Sequence, residues 1–233
     1  MSKSLPSVSV FFPCYNDERT IGDLIDVTGR ILRKRGGRYE IIVVDDGSTD
    51  GSRQLLKKAA KEFSKLRLIF HKKNKGYGGA LCSGFKKAKY EFVFYTDGDG
   101  QYDVGELELF IPLMTKDIDV VNGIKMERND PFVRIVAGKA YNFFVRNIFG
   151  IKIFDVDCDF RLIRKKLLKK IVLTSSSGAI CVELIKKLQD KGARFREVTV
   201  HHYDRKFGNS QFFQPLRLIQ TAVELIKLRL ELI

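Results

Sequence analysis

Three carboxylates and an amide are concentrated in the stretch YTDGDGQYD at 95–103. Asp97 and Asp99 straddle one glycine, so in an extended segment both side chains point the same way, and Gln101 continues the row. Oxygen ligands of this kind, with coordination positions left open, suit Mg²⁺ or Mn²⁺ shared with a diphosphate. The alternative is a glycine-rich hairpin turn without a ligand. The apolar run in front favours a site, because ligands bind where the strands of open α/β sheets end.

A second apolar run also ends in paired carboxylates. In VVDDGSTDGS at 43–52, Asp45 and Asp46 follow the buried run directly. Paired carboxylates in such a place need partners, such as a base N–H, a ribose hydroxyl or a metal. Turn chemistry followed by a helix cap explains the same residues equally well.

Two further loops are candidates for contact with a ligand. In FFPCYND, Pro13 ends an apolar run and leaves Tyr15 and Asp17 at its tip, where a base could stack on the tyrosine ring. An ordinary loop is the alternative. NKGYGGA contains Gly76 and lacks the G-K-[ST] of a Walker loop and the G-x-G-x-x-G pattern. Its glycines allow close backbone approach either to a ligand or to the sheet.

Short apolar strands alternate with amphipathic helices along the chain. Strands are predicted at 7–13, 39–46, 66–71, 90–97 and 118–123, and helices at 17–35, 48–63, 78–89, 132–150 and 215–233. A helix, a strand and a loop are predicted within 178–212. This alternation predicts an α/β fold with a Rossmann-like, mostly parallel sheet flanked by helices. The motifs above fall at strand ends and therefore at one edge of that sheet.

Composition narrows the class of protein. The chain has 233 residues, 44% hydrophobic and 30% charged, which is typical of one folded domain. Its formal net charge of +14 indicates anionic partners. No run of about 18 apolar residues predicts a membrane-spanning helix, and the four widely spaced cysteines favour a reduced, cytoplasmic compartment. A nucleic-acid-binding module is disfavoured, because the acidic cluster would repel phosphates and the basic residues are not interleaved with aromatic ones.

Taken in order, PCYND, VVDDGSTDGS, NKGYGGA and TDGDGQYD resemble the motifs of family 2 glycosyltransferases with the GT-A fold. The likeness is greatest to dolichyl- and polyprenyl-phosphate mannosyltransferases and their glucosyl relatives. It implies a GT-A domain over 1–212, with a nucleotide-sugar-binding half (1–125) and an acceptor half (126–212), followed by an amphipathic helix over 213–233.

The resemblance also implies roles for individual residues. Donor-binding residues would be Pro13, Tyr15, Asp17, Asp45, Asp46, Gly76 and Asp97, with the metal held by Asp97, Asp99 and Gln101. Acceptor-phosphate residues would be Lys125, Lys139, Arg205 and Ser210, and catalytic residues would be Asp99, Arg205, Asp159 and Glu183.

Three features of the second half depart from the family pattern. Lys125 and Lys139 stand where relatives usually carry arginines, which keeps the charge and loses the bidentate fork. Asp159 occupies a position where glycine is usual, in a segment that otherwise keeps Asp155 and Arg161. A hydroxyl acceptor would need a general base, for which Asp159 and Glu183 are the candidates, whereas a phosphate acceptor is already ionised at neutral pH.

The resemblance implies inverting, metal-dependent transfer of a hexose from a nucleotide sugar, with mannose from GDP-mannose favoured, and the ionised phosphate favours a polyprenyl or dolichyl phosphate as acceptor. A UDP-sugar donor with a lipid-phosphate or glycan-hydroxyl acceptor is the alternative. The amphipathic segments 132–150 and 215–233 are either packed in the core or rest on an anionic membrane surface. We expect a peripheral protein on the cytoplasmic face, with a second copy or an anchoring partner as further possibilities.

Overall fold

The computed structural model describes residues 6–126, 132–207 and 214–232. The strands in these residues are β1 (Val8–Cys14), β2 (Tyr39–Asp45), β3 (Leu66–Phe70), β4 (Phe92–Tyr95), β5 (Val120–Met126), β6 (Arg161–Arg164) and β7 (Phe195–His201). The helices are α1 (Ile21–Arg35), α2 (Ser52–Glu62), α3 (Gly76–Lys87), α4 (Leu107–Phe110), α5 (Phe132–Phe149), α6 (Lys165–Leu168), α7 (Ala179–Asp190) and α8 (Pro215–Glu231).

The strands form one sheet in the order β3-β2-β1-β4-β6-β5-β7. The first four strands in this order are parallel, as are β5 and β7, which confirms the predicted α/β fold with a mostly parallel sheet. Every residue of β1 and β2 is buried, because helices cover both faces of the sheet. Apolar clusters on the two faces include Ile25 of α1 on one side and Leu81 of α3 on the other.

Strand β6 was not predicted, and it runs antiparallel to both of its neighbours. Its sequence, RLIR, is short and ends in arginines, so it has no apolar run that indicates a buried strand. Arg161 pairs with Tyr95 at the end of β4. The antiparallel direction therefore brings the residues that precede β6, Asp159 among them, to the carboxyl end of β4.

Helices α1 and α2 begin later than the sequence predicts. Residues 17–20 and 48–51 form loops instead of first turns: the N–H of Glu18 donates to Asp50 Oδ2 at 3.2 Å, and the N–H of Gly51 donates to the Glu18 carboxylate. None of the helices in the described part of the chain combines the length and the apolarity needed to cross a membrane.

Candidate active site

Three parallel strands, β1, β2 and β4, deliver their following loops to one edge of the sheet. The acidic loop after β4 is held against the end of β1 by close packing: a Cβ on Gly98 would lie 2.5 Å from the carbonyl oxygen of Pro13. Thr20 Oγ1 donates to the carbonyl oxygen of Gly98 at 2.7 Å. These contacts place Asp97 and Asp99 beside the loop that carries Tyr15 and Asp17.

Asp97 and Asp99 each have a defined partner. The Tyr77 hydroxyl, in the first turn of α3, donates to Asp97 Oδ1 at 2.7 Å. Arg205 Nη2 donates to Asp99 Oδ2, and the backbone N–H of Gln101 donates to Asp99 Oδ1 at 3.0 Å. Tyr77 was overlooked in the sequence, although it lies inside the glycine motif that was singled out.

Burial works against the ionised forms of both Asp97 and Asp99. Burial raises the pKa of Asp97 well above its ordinary range, and the charges of Asp159 and Asp99 add to the effect. Burial also raises the pKa of Asp99, although Arg205 opposes the shift. Two hard oxygen donors that repel each other in a buried site fit Mg²⁺ or Mn²⁺. Among the residues described, no three His, Cys, Asp or Glu side chains form a metal cluster.

Gln101 binds the loop that follows β7. Its side-chain amide donates to the carbonyl oxygen of Tyr203 at 3.0 Å, and the N–H of Tyr203 donates to the carbonyl oxygen of Gln101 at 2.8 Å. The Arg19 guanidinium lies 5.2 Å from the centre of the Phe207 ring. The loop after β7 therefore covers the acidic cluster and presents Arg205 to it. The predicted site residue Ser210 lies outside the described residues.

The loops after β1 and β2 exchange hydrogen bonds. Asn16, in the left-handed region with φ 59°, accepts from the N–H of Thr49 at 2.8 Å, and its own N–H donates to Ser48 Oγ at 3.0 Å. The N–H of Asp17 donates to Ser52 Oγ at 3.1 Å. Tyr15 remains half-buried beside this junction. The two loops thus form one continuous wall next to the acidic cluster.

Asp17 lies on that wall and faces the acidic cluster. Its Oδ2 accepts from the N–H of Tyr15 at 2.9 Å. Burial raises the pKa of Asp17 from 3.8 to about 7, and the charge of Asp99 acts in the same direction.

This shift predicts a pH-dependent contribution to stability. An acid whose pKa is higher in the folded chain binds its proton more tightly there, so its contribution is full below pH 3.8 and is lost as the pH rises through about 7. We expect the free energy of unfolding of the wild type to fall relative to that of Asp17→Asn between pH 4 and pH 8. Urea unfolding at several pH values measures this difference, and a difference that is constant with pH would contradict the prediction.

Asp45 and Asp46 are occupied by protein partners. Asp45 has no exposed surface, and its Oδ2 accepts from Arg53 Nε at 2.6 Å. Asp46 Oδ1 lies 2.6 Å from His71 Nδ1 and accepts from the N–H of Lys75 at 2.9 Å. Contact of either carboxylate with base or ribose stays a prediction. His71 was missed, although a polar residue directly after β3 is itself a signal of the same sheet edge.

The glycines of the NKGYGGA motif approach protein backbone. Gly76, at φ 80°, would place a Cβ 2.3 Å from the carbonyl oxygen of Ser176, and Gly78 would place one 2.1 Å from that of Ser175. The N–H of Gly78 donates to the carbonyl oxygen of Ser176 at 2.9 Å. The close approach of Gly76 and Gly78 is thus made to the loop before α7, and not to the sheet as one of the two alternatives has it.

Asp159 lies beneath the acidic cluster. Its Oδ1 accepts from Arg161 Nη1 at 3.2 Å and from the Tyr95 hydroxyl at 3.3 Å. Arg161 has no exposed surface, and its Nε donates to Asn122 Oδ1 at 2.6 Å. Burial raises the pKa of Asp159, although Arg161 opposes the shift. Its contact with Tyr95, the last residue of β4, places Asp159 near the start of the acidic loop.

The other predicted site residues have different surroundings. Glu183 is fully buried, and its oxygens accept from the backbone N–H groups of Thr174 and Ser175 and from Lys187. Lys125 Nζ donates to the carbonyl oxygen of Asp157 at 2.6 Å and to its carboxylate at 3.1 Å. Lys139 is exposed on α5.

These surroundings favour structural functions for two of the three residues. Glu183 stabilises the loop before α7 through these hydrogen bonds. The pairing of Lys125 with the segment before β6 leaves its charge compensated. The exposed ammonium of Lys139 is open to an acceptor.

Comparison with known proteins agrees with this geometry. The family model described as Glycosyl transferase family 2 matches residues 9–172. The undecaprenyl-phosphate 4-deoxy-4-formamido-L-arabinose transferases of Yersinia pestis (strain Pestoides F) and Yersinia pseudotuberculosis serotype O:3 (strain YPIII) are each 29% identical over 227 residues, which is 97% of this chain and 68% of theirs.

Solved structures share the fold. Glucosyl-3-phosphoglycerate synthase from Mycobacterium tuberculosis, in complex with UDP, matches with a TM-score of 0.72 and 18% identity over 96% of this chain and 80% of that one. The same synthase with Mn²⁺ and UDP-glucose matches with a TM-score of 0.68 and 19% identity over 96% and 79%. The likeness confirms the predicted GT-A fold. With the family match over most of its length, the chain belongs to glycosyltransferase family 2.

Proposed function

We propose that the chain transfers a sugar from a nucleoside-diphosphate sugar to a polyprenyl phosphate, with inversion at the anomeric carbon. The observation that carries the proposal is the pair formed by half-buried Asp97 and buried Asp99 at the carboxyl edge of the sheet, with Arg205 bound to Asp99. A leaving diphosphate requires cationic groups at the point where negative charge develops. The curated relatives, which are named as undecaprenyl-phosphate sugar transferases, support the lipid phosphate as acceptor.

The donor half (1–125) would bind the nucleotide sugar. Tyr15, which is half-buried, would stack on the base, and Asp17 accepts a hydrogen bond from its backbone N–H. Asp97 and Asp99 would hold Mg²⁺ or Mn²⁺, which when bound neutralises charge on the diphosphate. Arg205 would move from Asp99 to the diphosphate as the cation takes its place. GDP-mannose remains a predicted donor, and the UDP complexes of the structural neighbours add UDP-sugars to the first choices.

The acceptor half (126–212) would bind the lipid phosphate. Such a phosphate is a dianion or close to it at neutral pH, so no general base has to remove a proton from it. We assign its recognition to Lys139 and Arg205, together with Ser210. Lys125 would act indirectly, because it is paired with Asp157. Glu183 is left out of the reaction because of its structural contacts.

One observation favours a second candidate, transfer to a hydroxyl group. Asp159 is buried against Tyr95 at the end of β4, and this burial raises its pKa, as a general base requires. Against this, Oδ1 of Asp159 is bound by Arg161. The two candidates differ in the expected effect of Asp159→Asn: the variant would keep transfer to a lipid phosphate and lose transfer to a hydroxyl.

The test is sugar transfer into an organic-extractable product. Labelled GDP-mannose, UDP-glucose and UDP-N-acetylglucosamine are offered separately, with Mn²⁺ and undecaprenyl phosphate. Metal-dependent label in the lipid phase supports the proposal and identifies the donor. Donor hydrolysis without a lipid product turns the search to a hydroxyl acceptor, and the absence of any nucleotide-sugar binding overturns the proposal.

The acceptor also requires contact with a lipid surface, and we assign that contact to α5 and α8. Phe143 and Phe144 of α5 are 70% and 64% exposed. On α8, Leu216, Ile219, Ile226 and Leu230 are 61–81% exposed. The formal net charge of +14 complements an anionic membrane, which makes such a surface the proposed occupant of these apolar faces. The cytoplasmic face is the proposed location.

We therefore expect the full chain to sediment with phosphatidylglycerol vesicles and to bind phosphatidylcholine vesicles at least about threefold more weakly. Replacing Phe143 and Ile226 with serine should reduce binding to the anionic vesicles several-fold, since apolar area in the interface is lost. Unchanged binding by the double variant contradicts the assignment. A concentration-dependent dimer that the same substitutions dissociate would show that a second copy covers these faces instead.

A further inference from the structure

Two carboxylates from two helices hold one short loop. Residues 174–177, here called the serine loop (TSSS), connect β6 and α6 to α7. Glu183 of α7 accepts from the backbone N–H groups of Thr174 and Ser175, at 3.0 and 2.8 Å. Glu224 of α8 accepts from those of Ser176 and Ser177, at 3.1 and 3.0 Å. Four successive N–H groups of the loop are therefore bound by carboxylates.

Glu224 also binds the side chains of the serine loop. It also accepts from the hydroxyls of Ser176 and Ser177, at 2.7 and 2.6 Å. Gln220, one turn earlier on α8, donates to the Ser176 hydroxyl at 2.9 Å. Although burial alone would raise it, these hydroxyl bonds hold the pKa of Glu224 below its ordinary value. A charged acceptor with several donors is a strong constraint on the position of the loop.

The other side of the serine loop contacts the first turn of α3. The carbonyl oxygen of Ser176 accepts from the N–H of Gly78, and Gly76 and Gly78 approach the loop so closely that a Cβ on either would clash with it. Tyr77 lies between these two glycines, and its hydroxyl is the one bound to Asp97. The route from α8 to the acidic cluster therefore consists of direct contacts.

We infer that Glu224 is a positioning residue for Asp97: it fixes the serine loop, the loop fixes the first turn of α3, and that turn holds the Tyr77 hydroxyl on the carboxylate. The inference rests on the proposed function only in taking Asp97 as a donor-site carboxylate. It gives α8 an effect on the donor site without contact with the donor. It also explains why a tyrosine flanked by glycines stands at the start of α3.

The test compares Glu224→Gln with Glu231→Gln in the full chain. Glutamine keeps the size of the side chain and loses one acceptor oxygen and the charge, whereas Glu231 is exposed near the end of the same helix. We expect Glu224→Gln to weaken binding of the nucleoside diphosphate with Mn²⁺ (UDP or GDP, whichever the wild type binds) about tenfold, measured by calorimetry. Glu231→Gln should leave binding within about twofold.

The route through Tyr77 is tested by a double-mutant cycle. If Glu224 acts through the tyrosine hydroxyl, Glu224→Gln should weaken binding by less than about twofold in a Tyr77→Phe background. If the fold-losses in binding caused by Glu224→Gln and Tyr77→Phe multiply in the double variant, the two residues act independently and the inference is overturned. A Ser176→Ala/Ser177→Ala variant, which removes only hydroxyls, should behave as a weaker Glu224→Gln.

A second readout does not depend on the proposed function. Amide hydrogen exchange in the peptide covering 74–82 should become at least about fivefold faster in Glu224→Gln and stay unchanged in Glu231→Gln. Unchanged exchange in Glu224→Gln would overturn the inference even if sugar transfer is confirmed. Conversely, failure of the wild type to transfer sugar to a lipid would overturn the proposed function and leave both readouts interpretable.

Discussion

Asp99→Asn should reduce sugar transfer at least about a hundredfold while leaving the fold intact. The substitution keeps the shape of the side chain and removes the negative charge that pairs with Arg205 and that would bind a divalent ion. Because burial raises the pKa of Asp99, the ionised carboxylate is costly in the folded chain. We therefore expect the free energy of unfolding of Asp99→Asn at pH 7.5 to equal or exceed that of the wild type.

Asp103→Asn is the matched control. Asp103 is exposed in the same loop, where its Oδ1 accepts from the N–H of Gly105 at 2.8 Å, and it does not contact Asp97 or Arg205 in any described bond. Transfer by this variant should stay within about threefold of the wild type. If Asp99→Asn retained comparable activity in the presence of Mn²⁺, the role assigned to the carboxylate pair would be wrong.

Of the variants proposed, Arg161→Met should lose the most stability, with the free energy of unfolding lowered by about 3–5 kcal/mol. The guanidinium has no exposed surface and binds Tyr95, Asn122, Val156 and Asp159. Removing it leaves the buried Asp159 carboxylate without a compensating charge, and it also leaves the Asn122 oxygen without its donor. Chemical unfolding at pH 7.5 measures the loss.

Two further variants separate the charge effect from packing. Arg196→Met, at an exposed position of β7, should change the free energy of unfolding by no more than about 0.5 kcal/mol. The double variant Arg161→Met/Asp159→Asn should be more stable than Arg161→Met alone, since the uncompensated carboxylate is gone. A double variant less stable than the single one would show that Arg161 acts through packing and not through its charge.

The alternation of strands and helices in the first half of the chain was predictable from local pattern, although α1 and α2 begin later than predicted. Buried runs such as IIVVD predict parallel strands because both of their faces must be covered, and this was confirmed for β2. Strand β6 could not be predicted in this way. Its four residues form a strand only because two distant strands flank them, and that pairing is invisible in RLIR itself.

In the candidate site too, the residues that follow apolar runs were predictable, and their partners were not. Asp97, Asp99 and Asp17 were found because each follows an apolar run, and strand direction then brings them to one edge of the sheet. Partners were not predictable, because they come from positions distant in sequence: Asp46 meets His71, and Asp99 meets Arg205. Local sequence therefore indicates which groups reach the edge, and tertiary contacts decide which of them remain available to a ligand.

The exchange of hydrogen bonds between the loops after β1 and β2 has a consequence for how donors are selected. Asn16 and Thr49, and likewise Asp17 and Ser52, hold the two backbones together without any ligand. Under the proposed function, a nucleotide bound there would meet a preorganised wall, and little of its binding free energy would be spent on ordering the chain. Discrimination between bases then falls on side chains that project from the wall, such as Tyr15. Donor preference in this chain should accordingly be changeable by single side-chain replacements that leave the backbone in place.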